Sequence, residues 1–529
     1  AGSVVNCGGK SGGFAAFDGT IHVSGGADKT SAYAGLVVGK SNSVTNCTAK
    51  GSVIAAGLTT AYAGGIVGYS GSVGYVRFEG SVSVVADMIY AGGAVGEATS
   101  VGNSSVVAKI EVDDHDGEST AEAFVGGIVG SGVTVTDSDF VGYVTASGNA
   151  PRDGYYLGGI AGYGATATRV TSDAEIEVRL VCEKRESSAS VFVGGIVGQS
   201  LALVSKASAT GKIAVDTGRN VYAGGVAGQA DSIVSTLAQV AVAVDQTGEL
   251  AVSGKTVYVG GLMGLNRPSF YRSGFKGSDE EMLLAFAREK LSQEATRRNK
   301  GKFTYTFEKD ASYVKNSAAY GDVTVTGDAS TVYAGGAAGF VGNENKSVTF
   351  DKESTTERVS FKDTGKNITV SMTVNAKIHL YWRSVYASFG NVTVTGKGAD
   401  GQTSAVGGLI GKATDALSSD SSGASYITDC YAQNFVSVIA SGTRSAVGGF
   451  VGSSSYDISH SYVQSAKNGK IRVEGDAGKY DVNVDRTQNG IENYVGGFIG
   501  ENSGTVEYAY TYSTINAKAK KQGGFVGYN

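Results

Sequence analysis

Residues 62–68 read Tyr-Ala-Gly-Gly-Ile-Val-Gly, and variants of this phrase recur along the whole chain. Each full copy has an aromatic residue, a small residue, two glycines, two apolar residues and a last glycine. Successive copies lie mostly about 30 residues apart, which is the spacing of a repeat architecture. The first glycines of the copies are Gly12, Gly35, Gly64, Gly92, Gly126, Gly158, Gly194, Gly224, Gly260, Gly335, Gly407, Gly448, Gly496 and Gly523. The chain of 529 residues is therefore organised by repeats rather than by several separate domains.

A second pattern lies between the copies: glycine, polar, β-branched, polar, β-branched. It occurs at Gly80–Val84, Gly211–Val215, Gly321–Val325, Gly390–Val394 and Gly469–Val473. Alternation with a period of two predicts a strand with one buried and one exposed face. A further short strand is predicted at Ser43–Cys47 and at Tyr426–Cys430. Each repeat is thus one coil of two or three strands, and such coils must stack to bury their apolar face. The sequence predicts an all-β fold, a parallel β-solenoid (β-helix) of about 14–16 coils.

The repeat phrase also predicts how the coils pack. Stacked coils lie about 4.8 Å apart, so each residue faces its own copies above and below. Paired glycines allow positive φ and close packing at a corner, and the aromatic residue two places earlier predicts a ladder of rings. Ile66 and Val67 are consecutive apolar residues, whose side chains would point to opposite faces of a strand. They therefore indicate a strand covered on both faces. The structural residues singled out are Tyr62, Gly64, Gly65, Gly68, Tyr90, Gly92, Gly93, Tyr222, Gly224, Gly225, Tyr258, Gly260, Gly261, Tyr333, Gly335 and Gly336.

Three of the four cysteines, Cys7, Cys47 and Cys430, fall at one repeat position that small residues fill elsewhere. Ser138, Ser317 and Ala207 occupy it in other coils. The fourth, Cys182, lies outside this pattern. Four cysteines are too few for a disulfide scaffold, and their spacing fits no zinc motif. Packing is the expected role of the three, with a disulfide or redox role as the alternative.

Two of the repeats carry a family resemblance. Asn46–Gly51 leads on to Gly64–Gly68, and Asp429–Ala432 leads on to Gly448–Gly452. These stretches resemble the GLUG-motif repeats of secreted and cell-surface microbial proteins, and the resemblance covers nearly the whole chain. Similar repeats occur in large adhesin-like proteins and beside the catalytic domain of some immunoglobulin A peptidases. The resemblance implies a parallel β-solenoid displayed outside a cell, and it supplies no active-site residues.

Two long steps between copies indicate insertions, and they divide the chain. Solenoid coils are expected at 1–265, 303–342 and 390–529, with a helical insertion at 266–302 and a β-rich excursion at 343–389. In the first insertion, a capping box at Ser278–Glu281 precedes an apolar stripe and predicts one helix from Met282 to about Arg298. In the second, alternation predicts β-hairpins. Tyr381 and Trp382 end this excursion, and they either contact a partner or pack in a satellite core.

Composition and motifs exclude several functions. With 80 glycines but 2 prolines, the chain is neither collagen-like nor a Pro/Gly-driven disordered segment. The net charge of −5 and the lack of a long basic block argue against nucleic acid as a partner. Apolar stretches fall short of the roughly 18 residues that membrane insertion requires. None of the histidines, His22, His115, His379 and His460, has the spacing of a zinc protease.

No catalytic residue, cofactor or metal site is predicted, and the chain is not expected to be an enzyme. Residues 35–41 have the wrong glycine spacing for a phosphate loop, and the acidic stretch Asp113–Glu118 lacks the register of a calcium loop, although its calcium binding stays open. The alternative class is a carbohydrate-binding or carbohydrate-processing β-helix enzyme. Such an enzyme would need carboxylates clustered at one height, and the candidates Asp87, Glu111, Glu175 and Glu177 match that requirement only loosely.

The expected function is structural or adhesive. The chain is expected to form a rod, stalk or filament outside a microbial cell, with itself, another cell-surface protein or a glycan as partner. Val4–Cys7 resembles part of a coil, and the chain stops two residues after Gly523–Gly527. Neither end shows a capping segment, so the chain is expected to be either a segment of a longer surface protein or a unit that associates head to tail.

Overall fold

In the computed structural model, the chain forms a parallel β-solenoid. The structure describes residues 2–7, 17–25, 31–114, 121–149, 152–181, 189–246, 255–267, 301–308, 312–327, 329–343, 348–350, 370–377, 380–396, 403–415, 425–439, 444–464, 466–467, 470–471, 482–485, 492–517 and 519–529. Within these ranges the secondary structure is all β, with no helix. The helix expected from Met282 to about Arg298, and the first repeat copy at Gly12, lie outside the described residues.

The strands follow one another at short intervals. Up to residue 266 they are Ser3–Val5, Phe17–Ser24, Ser31–Ala34, Val38–Thr45, Thr48–Gly64, Val67–Gly74, Arg77–Gly92, Val95–Gly102, Ser105–Asp114, Ala123–Gly126, Val129–Gly148, Gly154–Gly158, Ala161–Leu180, Ser190–Gly194, Val197–Ser205, Ser208–Thr217, Asn220–Gly224, Ala227–Val234, Leu237–Gln246, Thr256–Gly260 and Met263–Asn266. Beyond residue 300 they are Gly301–Glu308, Ser312–Tyr320, Val323–Gly327, Thr331–Gly335, Ala338–Asn343, Val348–Phe350, Val370–Lys377, Leu380–Gly396, Thr403–Gly407, Ile410–Asp415, Tyr426–Thr428, Tyr431–Ile439, Arg444–Gly448, Val451–Ser454, Asp457–Ser459, Tyr462–Val463, Ala466–Lys467, Lys470–Ile471, Val482–Asp485, Glu492–Gly496, Ile499–Asn502, Val506–Glu507, Tyr510–Thr511, Ile515–Ala517, Lys521–Gly523 and Val526–Tyr528.

One coil shows how the repeat is built. Strand Thr48–Gly64 bends at Gly57, where φ is +68° and the pairing register shifts. The paired glycines then turn the chain into Val67–Gly74, and a residue in the left-handed conformation, Tyr75, starts the next coil. The coil therefore has three sides, of which one carries the Gly-polar-β-branched pattern and one carries the aromatic residue of the phrase.

All but five of the strands belong to one 42-stranded sheet, within which the pairings are parallel. Copies of the repeat phrase pair in register: Tyr62 lies beside Tyr90, and Gly64 beside Gly92. Thirteen strands that carry the phrase are joined in one unbroken row, from Ser31–Ala34 to Lys521–Gly523. The solenoid predicted from the repeat is confirmed.

The core follows from the alternation. On the side with the Gly-polar-β-branched pattern, Val82 and Val84 are buried while Ser81 and Ser83 face outward. Their counterparts in the neighbouring coils, such as Val53 and Ile110, are buried in the same row. Ile66 and Val67 are both buried, as expected for a strand that is covered on both faces. One hydrophobic cluster of buried residues runs from Ala34 to Ile499, so the coils share a single core.

The boundaries of the two insertions in the structure differ from those predicted from the sequence. Strand Gly301–Glu308 pairs with Val370–Lys377, which also pairs with Val348–Phe350, in a separate three-stranded sheet. Residues 303–308, expected in a solenoid coil, therefore belong to this smaller sheet. Residues 380–389, expected in the excursion, belong to the solenoid, because strand Leu380–Gly396 pairs along its length with Ser312–Tyr320 and Val323–Gly327. The two insertions thus pair with each other.

Candidate functional site

The paired glycines are required by close approach between coils. A Cβ on Gly225 would lie 2.2 Å from the carbonyl oxygen of Gly261 in the next coil and 3.1 Å from the Cβ of Ala238. A Cβ on Gly65 would likewise meet Gly93 O at 2.4 Å. None of the phrase's described glycine pairs has φ in the left-handed region. The expected close packing is present, whereas positive φ falls elsewhere in the coil, for example at Gly51 with φ +138°.

The aromatic residues of the phrase form a ladder of nine rings, one per coil. Ring centroids are 4.7–5.4 Å apart, and seven of the eight neighbouring pairs are stacked. The exception is Tyr222 and Tyr258, which meet edge to face at 79°. The rings are Tyr33, Tyr62, Tyr90, Phe124, Tyr156, Phe192, Tyr222, Tyr258 and Tyr333. They pack on one another, and the glycine pairs pack on backbone of the next coil.

The ladder is a poorly hydrated environment for its hydroxyl groups. Burial raises the pKa of Tyr90 above its ordinary value, and the carboxylates of Glu97 and Glu122 raise it further. Burial similarly raises the pKa of Tyr156, whose hydroxyl donates to Glu122 Oε1 over 3.1 Å. Burial also raises the pKa of Glu122 itself. Three of the nine rings, Phe124, Tyr258 and Tyr333, are buried, and the other six are partly exposed.

From Tyr313 onward, tyrosine rings also lie next to one another outside the ladder, on other sides of the coil. Tyr381 lies between Tyr313 and Tyr426, at centroid distances of 5.6 and 4.4 Å. A parallel row, with centroid distances of 4.2, 5.1 and 5.0 Å, comprises Tyr386, Tyr431, Tyr462 and Tyr510. Tyr313 is 41% exposed and Tyr510 47%. We call these seven residues the tyrosine surface. In the second row the rings stack on one another, so they present mainly their edges and hydroxyl groups outward.

Trp382 is a core residue. It is fully buried, and its Nε1 donates to Asn266 Oδ1 over 3.0 Å. Asn266, also fully buried, donates in turn to the carbonyl oxygens of Ala230 and Asp231. Of the two residues considered for a partner contact, Trp382 therefore has no accessible surface to offer, because it points into the solenoid. Its neighbour Tyr381 points outward, since side chains alternate along a strand.

The acidic candidates do not form a cluster. Glu111 pairs with Lys109 at 2.9 Å and Glu177 with Arg179 at 2.6 Å, each within its own strand. Glu175 lies beside Lys212 in the next coil. Asp87 accepts a hydrogen bond through its backbone oxygen from the buried Arg152. Among the described residues, no group of three or more His, Cys, Asp or Glu side chains is placed to hold a metal ion. Residues 115–118 of the acidic stretch lie outside the described ranges.

Sequence reasoning missed a corner that recurs in every described coil. The residue there is left-handed, with φ between 48° and 59°, and is Asn6, Asn46, Tyr75, Asn103, Asp137, Arg169, Lys206, Ser235, Asn316, Ser384, Asp429, His460 or Tyr508. Asn and Asp adopt this conformation more readily than other non-glycine residues. The Asn-Cys and Asp-Cys pairs were a signal for it. Contacts between coils tie the corner together, such as Arg169 with Asp137 at 2.6 Å.

No family model, curated protein or solved structure matches this chain. None of the described residues belongs to a helix of the length and apolarity that a membrane span needs. The described residues form a continuous core, a half-buried aromatic ladder and the more exposed tyrosine surface.

Proposed function

We propose that the protein is an extracellular structural or adhesive repeat protein of the GLUG type, forming a rod or stalk at a microbial cell surface. The observation that carries this proposal is the unbroken row of thirteen paired repeat strands around one shared core. Because every coil is hydrogen-bonded to the coils on either side of it, the repeats form one continuous elongated element. Such an element holds whatever it carries at a fixed distance from its base.

The adhesive part of the proposal rests on the tyrosine surface. Tyrosine is enriched at recognition sites because its ring gives contact area while its hydroxyl forms hydrogen bonds. Here the hydroxyl groups are repeated about every 5 Å along the axis. A glycan or an extended polypeptide that runs along the solenoid is the partner that this spacing favours. Carbohydrate binding is accordingly the second candidate function, whereas head-to-tail association stays a prediction from the sequence.

Adhesion can be tested with the whole chain coupled to beads and passed over immobilised glycans and extracellular-matrix proteins. We expect retention that is lost in the triple variant Tyr313→Ser, Tyr381→Ser, Tyr426→Ser. The matched control replaces Ser72, Ser100 and Thr134 by Ala, because these residues occupy the same row in earlier coils. Equal retention of both variants, or no retention of the parent, would overturn the adhesive role.

The location and the rod are tested separately. An antibody against the chain should label intact cells of the source, and protease added outside those cells should degrade the protein. Small-angle scattering of the purified chain should give a long particle of constant cross-section. Labelling only after lysis would contradict the cell-surface location, and a compact particle would contradict the stalk.

A further inference from the structure

The residue after each left-handed corner points into the solenoid and stacks on its counterparts along the axis. We call this position the corner rung. Its described residues are Cys7, Cys47, Val76, Ser104, Ser138, Val170, Ala207, Thr236, Ser317, Val385, Cys430, Ser461 and Ala509. Cysteine occurs here in two neighbouring coils, Cys7 and Cys47, and once in isolation, Cys430, which lies between Val385 and Ser461.

Polar side chains on the corner rung have a fixed orientation. The backbone N–H of Ser104 donates to Ser138 Oγ, and that of Cys430 donates to Ser461 Oγ, each over 3.2 Å. The same hydroxyl groups donate back to the carbonyl two residues earlier in their own coil, as Ser138 does to Thr136 over 2.7 Å. A hydroxyl or thiol on the rung is thus held toward the preceding coil.

Cys47 follows this pattern, and the coil it faces carries Cys7. Cys47 Sγ donates to its own Thr45 O over 3.4 Å. The coils are in register, with Val5 beside Thr45 and the Thr48 N–H donating to Cys7 O over 2.9 Å. Asn46 Nδ2 donates to Asn6 Oδ1 over 3.2 Å, which aligns the residues just before the two cysteines. Burial raises the pKa of the Cys47 thiol. The thiol of Cys7 raises this pKa further, whereas a hydrogen bond from the Cys7 backbone opposes the increase.

From this juxtaposition we propose that Cys7 and Cys47 form a disulfide that covalently joins two neighbouring coils. Strands in register place equivalent Cα atoms about 4.8 Å apart, inside the roughly 4.4–6.8 Å that disulfides span. Both thiols are free in the structure. Cys7 is partly exposed, whereas Cys47 is buried. The bond requires oxidation and a small local approach of the two side chains, because Cβ atoms lie about 3.5–4.5 Å apart in disulfides.

The reaction needs an oxidant of the small-disulfide class, for which oxidised glutathione serves. The thiolate of the accessible Cys7 attacks one sulfur, forms a mixed disulfide and releases one glutathione. The thiolate of Cys47 then attacks Cys7 Sγ, forms the protein disulfide and releases the second glutathione. The two protons lost by the cysteine thiols are taken up, through solvent, by the two released glutathione thiolates, and two electrons reduce the oxidant. Because the pKa of Cys47 is raised, the closing step should accelerate as the pH rises.

Cys430 provides an internal control. It occupies the same rung and is buried, but neither neighbouring rung carries a thiol. Serine fills this rung in four coils, so replacing a rung cysteine by serine is compatible with the fold. The fourth cysteine, Cys182, lies outside the described ranges and is removed by Cys182→Ser in every sample.

The test compares three proteins treated with oxidised glutathione: the Cys182→Ser parent and its Cys47→Ser and Cys430→Ser derivatives. In the parent, we expect the three free thiols to fall to one. Because trypsin cleaves after Lys10, Lys40 and Lys50, peptides 1–10 and 41–50 should be recovered joined within one chain. The Cys430→Ser derivative should give the same joined peptides. The Cys47→Ser derivative should instead retain glutathione on Cys7.

Two results would overturn the proposal. One is a parent that keeps glutathione on Cys7 although Cys47 is present. The other is a Cys7–Cys47 link that forms only between two chains, as shown by a dimer on non-reducing gels. Circular dichroism of each derivative before oxidation establishes that the coils are intact, so a negative result reflects the geometry of the pair and not unfolding.

Discussion

The coils before residue 267 and those after residue 379 share one backbone register but place most of their stacked tyrosine rings on different sides. In the earlier coils the rings stack at the repeat phrase. The position that Tyr381 occupies in its own coil is there filled by Ser72, Ser100 and Thr134. In the later coils, Ala405 and Ala446 replace the ring of the phrase, which returns at Tyr494. The coil between them carries both Tyr313 and Tyr333. A solenoid can therefore change its surface from coil to coil while its hydrogen bonding stays the same.

The glycine pairs are common to both regions, and breaking one should have the largest effect. In Gly225→Val the new side chain meets backbone of the next coil, which no rotamer change relieves. We expect a loss of more than about 4 kcal/mol, from overpacking together with lost hydrogen bonds between the coils. Urea denaturation measures it. The control is Gly74→Val, because a Cβ there meets only Gly102 O, at 3.7 Å; equal losses in both would contradict the close approach.

Trp382 and Tyr381 separate the core from the surface within one strand. We expect Trp382→Ala to cost about 3 kcal/mol, because it leaves a cavity and removes the hydrogen bond to Asn266. Tyr381→Ala should cost about 1 kcal/mol, the value of an aromatic pair near the surface. Thermal or urea unfolding compares them. A larger loss for Tyr381→Ala would show that the outward and inward faces of this strand have been exchanged.

Alkaline pH should distinguish the aromatic ladder from the tyrosine surface. The unfolded chain loses its phenol protons near the ordinary pKa of 10.0, whereas burial raises the pKa of Tyr90 in the folded state. The stabilisation from this residue is thus complete below pH 10 and is lost as the pH rises above it. We expect Tyr90→Phe to reduce the alkaline loss of stability more than Tyr462→Phe, because carboxylates raise the pKa of Tyr90 as well.

The measurement is the urea midpoint of each variant at pH 8 and at pH 11, with phenolate absorbance followed in parallel. Both variants keep their rings, so differences in packing are small. An alkaline loss that is the same in the parent and in Tyr90→Phe would show that the ladder hydroxyl groups are as well hydrated as those of the unfolded chain.

The smallest effect is expected at Cys430. Burial raises its pKa to about 12, so its thiol should resist alkylation in the folded protein at neutral pH. Cys430→Ser should change stability by less than about 1 kcal/mol, because the hydroxyl can donate to Thr428 O as the thiol does. Mass spectrometry after iodoacetamide treatment, with and without urea, checks the first point. Rapid alkylation without urea would place Cys430 at the surface.

Much of the fold was determined by local sequence. The period-two alternation at Gly80–Val84 requires a strand with one buried face, and the repeated glycine pair requires a neighbour that approaches without a Cβ in the way. Both constraints act within one coil and are repeated in each, so the solenoid, its core and its aromatic ladder follow from the sequence. The small-residue position of Cys47 and Cys430 could be predicted for the same reason, although the left-handed residue before it was missed.

What the sequence could not determine involves segments that meet only when the chain is folded. Trp382 is buried because strand Leu380–Gly396 pairs with Ser312–Tyr320 across an insertion, and no local pattern specifies that pairing. The two insertions share a sheet for the same reason. Local periodicity fixes which face of a strand is buried, whereas only the stacking of coils decides which distant residue lies beside it.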